Sequence, residues 1–264
     1  MILVDLTITG GAADEEVASL ARELALRLQK NGQLVGDVVV GVAGPDLRLT
    51  GTAPLPDALS PENHSRYVAE SLREIESRLK APVEIGVYGN STESRSVHFA
   101  DPAEADWLIL QTSASSLASP LRDPRSDRHF PLYRVPQDDD ARERLWCWSR
   151  NAAGLDAVWW ASGSLEVEAY KALAEPSSAL MTEAREHAAW VEQAVGRPVF
   201  VHLRRHYGAP EGDDDRPCPL CGKNWRVSED SDSMEGLPLR CHPCRLVSRF
   251  AVCRDSEDWS RFGS

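Results

Sequence analysis

Cysteine is scarce in this sequence, and long apolar runs are missing. Six cysteines occur among 264 residues, too few for a disulfide framework, and four of them stand in two CxxC pairs. Such pairing favours a bound metal in a reducing compartment. No stretch approaches the roughly 18 consecutive apolar residues of a membrane span. The first ten residues carry neither a basic leader nor a cleavage site, so we expect no secretory signal, a cytoplasmic location and no membrane partner.

The sequence also has fewer basic than acidic residues. The chain has 29 lysines and arginines against 41 aspartates and glutamates, which gives a formal net charge of −12. A chain this acidic repels a polyanion at long range unless a local basic face outweighs the rest. The composition therefore argues against broad, nonspecific affinity for nucleic acid.

The sequence signatures of common catalytic sites are missing as well. The chain contains no GxGxxG, P-loop, nucleophile elbow, HExxH or kinase motif. We therefore expect no enzymatic activity.

The first ninety residues alternate between strand-like and helix-like periodicity. Strand patterns cover 2–8, 38–42, 47–52 and 83–88, and helix starts follow Asp14 and the pair Ser60-Pro61. The resulting order, β-α-β-β-α-β, is that of the split βαβ, or ferredoxin-like, sandwich. We therefore predict a ferredoxin-like domain over residues 1–92.

The middle of the chain mixes helices with short strands. The strand patterns cover 107–111 and 199–206, a short helix is expected at 142–148, longer helices open near 162–164 and at Ser177, and 113–128 is expected to be an exposed loop. These elements predict a middle domain over residues 93–209. Its local pattern is α/β, and the domain as a whole is expected to be α+β. A polar linker near 208–217 then leads into residues 210–264. The whole chain is expected to be α+β.

The carboxy-terminal segment carries the strongest motif in the sequence. Cys218-Pro-Leu-Cys221 and Cys241-His-Pro-Cys244 are separated by 19 residues. Two CxxC turns supply four thiolates for one tetrahedral Zn²⁺, and Gly222 suits the positive φ that such a turn commonly needs. The spacing predicts a zinc ribbon with one structural zinc, because four cysteine ligands leave no open position for a reacting water.

Other assignments of these cysteines stay open. Two redox-active or disulfide-forming CxxC pairs are the main alternative, although a thioredoxin-like CxxC is single and lies in a βαβ unit. His242 lies inside the second CxxC turn and could replace one cysteine as a ligand. The remaining two cysteines, Cys147 and Cys253, are expected to be buried structural thiols.

The predicted ribbon also has a basic and aromatic character that suits phosphate contact and base stacking. The candidate contact residues are Lys223, Trp225, Arg226, Arg240, Arg245 and Arg249. Four acidic side chains between positions 229 and 235 oppose the five basic ones. A solvated surface or a protein-docking surface is therefore the alternative to a nucleic-acid face.

A second polar group is predicted on the strand that begins near residue 199. Because side chains alternate along a strand, His202, Arg204 and His206 share one face, which could hold an anion. The alternative is the outward face of an edge strand. Hydrolase or transferase chemistry at these three residues is a further, less favoured hypothesis.

Several segments of the second half resemble a known family. These are 145–149 (LWCWS), 161–166 (ASGSLE), 196–198 (GRP) and the two cysteine motifs, CPLCG and CHPCRLVS. They are similar to uncharacterised bacterial proteins described as containing a zinc ribbon, with a suggested role in nucleic-acid binding. The resemblance implies that the four cysteines are metal ligands, and it implies no catalytic residues.

The function favoured by the sequence is recognition without catalysis. We expect a cytoplasmic zinc-ribbon protein that binds nucleic acid or a protein that handles nucleic acid. The alternative is an acidic inhibitor or immunity-type protein that masks a basic toxin or nuclease by charge complementarity.

Overall fold

A computed structural model describes residues 1–90, 97–114, 118–126, 128–136, 138–205, 216–227 and 237–251. The described chain is mixed α+β, with a four-stranded sheet and a five-stranded sheet. Its contacts define two compact units. The first comprises Met1–Glu104, Ser116–Ser119 and Arg128–Cys147, and the second comprises Ala105–Ser115, Pro120–Asp127 and Trp148–Ser264. The division into three domains is finer than this and stays a prediction.

The first unit has the element order expected from the sequence. Its elements are β1 (Ile2–Ile8), α1 (Glu15–Lys30), β2 (Val35–Ala43), β3 (Asp46–Ala53), α2 (Arg66–Leu79) and β4 (Glu84–Asn90). The strands form an antiparallel sheet in the order β2-β3-β1-β4. Its core is built from alternate residues of β1 and the apolar stripes of both helices.

The two helices of this unit begin at capping side chains. The Asp14 carboxylate accepts hydrogen bonds from the backbone N–H of Glu16 at 3.0 Å and of Val17 at 3.3 Å, as its position before the apolar stripe predicts. The expected start of α2 after Ser60 is wrong. Pro61–Asn63 form a single 3₁₀ turn, and α2 begins where Ser65 Oγ accepts from Val68 N–H at 3.3 Å.

The second unit contains the five-stranded sheet. Its elements are β5 (Leu108–Leu110), β6 (Leu121–Arg122), α4 (Glu166–Ala174), α5 (Ala179–Val195), β7 (Val199–His202), β8 (Leu239–Cys241) and β9 (Leu246–Ser248), together with α3 (Asp139–Ala161) from Trp148 onward. The strand order is β6-β5-β7-β9-β8. The central strands β5, β7 and β9 are parallel, and the outer pairs are antiparallel.

Three expectations for the middle of the chain are corrected. The short helix expected at 142–148 is α3, which runs for 23 residues until Ser162 adopts a positive φ of 52°. The loop expected at 113–128 contains β6, whose Leu121 is buried in the core. β7 lies between two parallel neighbours, so its polar face is not the outer face of an edge strand.

None of the helices in the described ranges combines the length and hydropathy of a membrane span.

Candidate metal centre

The four cysteines of the two CxxC turns converge at one edge of the five-stranded sheet. All four Sγ atoms lie within 4.8 Å of one another, and the sulfurs of Cys221 and Cys241 are 3.6 Å apart. In a tetrahedron of ~2.3 Å bonds the sulfurs are separated by about 3.8 Å. The cluster could therefore hold one four-coordinate metal ion.

The backbone of both turns follows the same plan. Gly222, after the second cysteine of the first turn, has φ +68°, which confirms the positive φ predicted for it. Its N–H donates to the Cys218 carbonyl at 2.9 Å, and the Cys218 N–H donates to the Lys223 carbonyl at 2.8 Å. Arg245 takes the equivalent place after Cys244, with φ 51°. Each turn thus points its two sulfurs toward one position.

The second turn is anchored in the sheet. Cys241 ends β8, Cys244 lies in the turn to β9, and Leu246 of β9 pairs with Val201 of β7. Leu246 and its neighbour Val247 are fully buried. Half of the sulfur cluster is therefore held by the core of the unit rather than by a surface loop.

The first turn is attached to β8 by backbone hydrogen bonds and one buried ring. Arg240 N–H donates to the Trp225 carbonyl at 2.6 Å, and Val227 N–H donates to the Pro238 carbonyl at 2.9 Å. Trp225 is only 2% exposed, and its Nε1 donates to the Arg216 carbonyl at 3.0 Å. These contacts bring Cys218 and Cys221 to the sulfurs of the second turn.

The thiols of the cluster differ in acidity. The backbone N–H of Lys223 hydrogen-bonds the Cys221 sulfur and lowers the pKa of this thiol to about 7. Burial raises the pKa of Cys244 to about 11 and also raises the pKa of Cys241. Because metal ligation requires thiolates, these buried thiols must release protons when an ion binds.

The positions of the four sulfurs favour a single metal site over two redox-active cysteine pairs or a site that includes His242. None of the described cysteines is in a disulfide. Two independent redox pairs would not need to converge, whereas one tetrahedral ion requires all four sulfurs to meet. The cluster found among the described residues contains no histidine. The ring of His242 instead packs edge-on against Phe200, with ring centroids 5.2 Å apart.

The remaining candidate contact residues separate into two groups. Lys223, Arg226 and Arg249 are exposed. Arg240 lies over the Trp107 ring, with its guanidinium carbon 4.8 Å from the centroid, and Arg245 Nη2 lies 2.6 Å from Glu192 Oε1. Both of these arginines make contacts within the second unit.

Two sequence predictions about single residues are wrong. Trp225 is buried, so its ring offers no face on which a base could stack. Cys147 is an exposed thiol rather than a buried one. Cys253, His206 and the acidic positions between 229 and 235 lie outside the described residues.

A buried carboxylate that the sequence did not predict lies beside Arg204, on the predicted polar face of β7. Asp156 of α3 is 0% exposed, and its Oδ1 lies 2.9 Å from Arg204 Nη1. The two residues are 48 positions apart, and no motif joins them, so only the folded chain brings them together.

Comparisons with known proteins find families without an assigned activity. Residues 102–204 match a model described as domain of unknown function DUF2310, and residues 209–253, which include all four cysteines, match domain of unknown function DUF8594. The chain is 25% identical over 154 residues to an uncharacterized protein of Haemophilus influenzae, covering 58% of this chain and 75% of that protein. No solved structure matches. The resemblance seen in the sequence is confirmed at this level: the matches support a domain-of-unknown-function family.

Proposed function

We propose that Cys218, Cys221, Cys241 and Cys244 bind one structural Zn²⁺, and that the chain is a non-enzymatic recognition protein of the reducing cytoplasm. The observation that carries the zinc assignment is the approach of four sulfurs to within 4.8 Å of one another. Four thiolates in a tetrahedron favour zinc over hard cations such as calcium or magnesium. Since the cysteines fill all four positions, the ion stabilises the fold and does not bind a substrate.

The metal would tie the first CxxC turn to the sheet. The segment 216–227 contributes few buried side chains, chiefly Trp225 and Cys218, whereas the second turn is anchored by β9. A small segment with little core of its own commonly depends on a metal for its fold. This module is the zinc ribbon of our proposal.

The ligand that we propose for this ribbon is nucleic acid, or a protein that handles nucleic acid. Lys223, Arg226 and Arg249 support it, because they are exposed and lie within a few positions of the ligating cysteines. Arg240 and Arg245 are assigned structural roles, since one packs on Trp107 and the other pairs with Glu192.

We also infer that the first unit is a ferredoxin-like sandwich. The element order β-α-β-β-α-β and the antiparallel strand order β2-β3-β1-β4 support this assignment.

The charge of the chain favours a second candidate function. A net charge of −12 suits an inhibitor that binds a basic toxin or nuclease, because complementary charge speeds association and excludes wrong partners. If the chain is such an inhibitor, Lys223, Arg226 and Arg249 would not contact its partner.

A salt series tests the nucleic-acid ligand. We expect the affinity for single-stranded or duplex DNA or RNA, measured by fluorescence anisotropy, to fall steeply as salt rises, because bound phosphates release counterions. Lys223→Ala and Arg226→Ala should each reduce the log–log salt slope by roughly one.

The matched control is Arg73→Ala, which removes an exposed arginine from α2 in the first unit and should leave the slope unchanged. No measurable binding even in dilute buffer would contradict a nucleic-acid ligand and favour the inhibitor. An equal effect of Arg73→Ala would show that only the net charge matters.

A further inference from the structure

The outer strand β4 of the first unit has an unpaired edge. The strand order β2-β3-β1-β4 places β4 at one end of the sheet, and within the described ranges β1 is the only strand that pairs with it. All seven residues of β4 are exposed. On such an edge, alternate backbone N–H and C=O groups point away from the sheet, where a further extended strand can bind them.

Two apolar side chains of this strand lie outside the core of the unit. Ile85 pairs with Leu6 of β1, and Val87 pairs with Val4. Leu6 and Val4 are buried in the core beneath the helices. Residues directly opposite each other share a face of the sheet, so Ile85 and Val87 lie on the helix-bearing face. They are nevertheless 46% and 66% exposed, so the helices leave an apolar surface along β4.

The other face of β4 carries an ordered aromatic ring. The Tyr88 hydroxyl donates to Asp5 Oδ2 at 2.8 Å, and the ring lies beside Gly86. Most of Tyr88 is exposed all the same. Because the hydrogen bond already fixes the ring, little conformational entropy is lost when a partner covers it.

The edge of β4 carries few of the features that normally keep outer strands apart. Native edge strands are commonly protected by lysine, proline or a bulge. Residues 84–90 contain neither lysine nor proline, and Glu84 is their one charged residue. The bulge of β4 lies at Tyr88, so residues 84–87 pair regularly with β1. Most of the strand is therefore open to pairing.

The sequence of β4 is complementary to itself. When two antiparallel copies are centred on Gly86, Ile85 of each copy lies opposite Val87 of the other, on the helix-bearing face. Glu84 then lies opposite Tyr88. The two Glu84 carboxylates are four residues apart along the strands, roughly 13 Å, which exceeds the Debye length of about 8 Å at physiological salt. The pairing therefore brings no like charges together, although the whole chain is acidic.

We propose that β4 pairs antiparallel with β4 of a second copy of this chain, centred on Gly86. The two four-stranded sheets join into one sheet, and the exposed apolar side chains of the two strands cover one another. The contact buries less than about 1,200 Å², so the dimer is weak, with a Kd on the order of micromolar. The pairing depends on neither the zinc nor the ligand proposed above, since β4 belongs to the first unit.

Sedimentation velocity of the full chain over a concentration series tests this pairing. We expect the wild type to change from monomer to dimer between micromolar and hundreds of micromolar. Val87→Lys should weaken the dimer at least about tenfold, because both Ile85–Val87 pairs are lost. Val42→Lys is the matched control. Val42 is 68% exposed and lies on β2, the outer strand at the opposite end of the sheet, so this variant should dimerise as the wild type does.

A mixture of two variants tests the antiparallel arrangement. Ile85→Glu alone should be as monomeric as Val87→Lys. An equimolar mixture of the two should form a heterodimer, because the introduced carboxylate then lies opposite the introduced ammonium group. Both positions are exposed, so each monomer should keep the circular dichroism spectrum of the wild type.

Salt separates this contact from one held by charge. Two chains with a net charge of −12 repel each other, and salt screens that repulsion. Raising NaCl from ~0.1 M to ~0.5 M should therefore leave the wild-type dimer unchanged or strengthen it.

Several results would overturn the proposal. A wild type that stays monomeric at hundreds of micromolar would leave the edge to an extended segment of another protein. Dimerisation of Val87→Lys as strong as that of the wild type, or an equal loss in Val42→Lys, would show that the contact is not the β4 edge. A mixture that forms no heterodimer would rule out the antiparallel arrangement, and a dimer that dissociates at high salt would be held by charge instead.

Discussion

At the scale of single residues, Asp156 and Arg204 of the second unit show how a buried charge is stabilised by its neighbours. Asp156 is 0% exposed, yet it is held beside Arg204 and by the Ala114 N–H. Removing one partner of such a pair leaves an uncompensated buried charge, which is strongly destabilising. The pair is therefore fixed near the carboxyl end of β7, close to His202.

His202 predicts a specific dependence of stability on pH. Its pKa is lowered to about 3, chiefly by burial and then by Arg204 and Arg122, below the usual value of about 6.5 in the unfolded chain. The unfolded state therefore binds more protons, and stability is lost as pH falls from 6.5 toward 3. Between pH 6.5 and 5, His202 should contribute a loss of about 2 kcal/mol in the free energy of unfolding.

Urea unfolding of the wild type and of His202→Gln at both pH values measures this contribution. The difference between the two proteins should change by that amount, since the other titrating groups are common to both. An identical pH dependence of the two proteins would contradict the prediction.

At the scale of elements, local patterns located most helices and strands but not all of their ends. Asp14 acts as predicted, because a cap depends on a few neighbouring residues, and Gly196 ends α5 in a left-handed conformation. The start of α5 was off by one residue. Ser178, rather than Ser177, accepts from Met181 N–H at 3.1 Å and also donates to the Ala172 carbonyl at 2.7 Å. Adjacent serines offer equal local signals, so tertiary contacts decide between them.

This pair of serines gives a matched test of the cap. Ser178→Ala should lower the free energy of unfolding by about 1 kcal/mol, because an N-cap bond is lost. Ser177→Ala, at an exposed neighbouring position, should change it by less than about 0.5 kcal/mol. Chemical denaturation of both variants measures the difference. Equal losses, or a larger loss for Ser177→Ala, would contradict the assignment.

At the scale of the whole molecule, the sulfur cluster could be predicted and the strand order of the five-stranded sheet could not. Two CxxC turns carry their ligand geometry within four residues each, so their spacing alone predicts that Cys218 and Cys241 approach one another. The strand order instead depends on pairing between distant segments. β7 pairs with β5, which lies some ninety positions earlier in the chain, and no local pattern specifies that pairing.

The same dependence on long-range contacts explains why the predictions for Trp225, Arg240 and Arg245 differ from the structure. Charge and aromatic content suggested that Trp225 faces a partner, but its burial depends on contacts with β8 and Arg216 across the segment. Amphipathic residues such as tryptophan and arginine can serve either a surface or a core. Arg240 and Arg245 likewise became internal contacts, which leaves Lys223, Arg226 and Arg249 as the exposed cations of the site.

The central claim is that four cysteines hold one structural zinc, and elemental analysis of the purified chain tests it most directly. We predict one zinc per chain in the wild type and in Cys147→Ser, whose exposed thiol lies outside the cluster, and loss of that zinc in Cys241→Ser. A wild-type protein without stoichiometric metal, or a Cys241→Ser variant that keeps it, would contradict the claim.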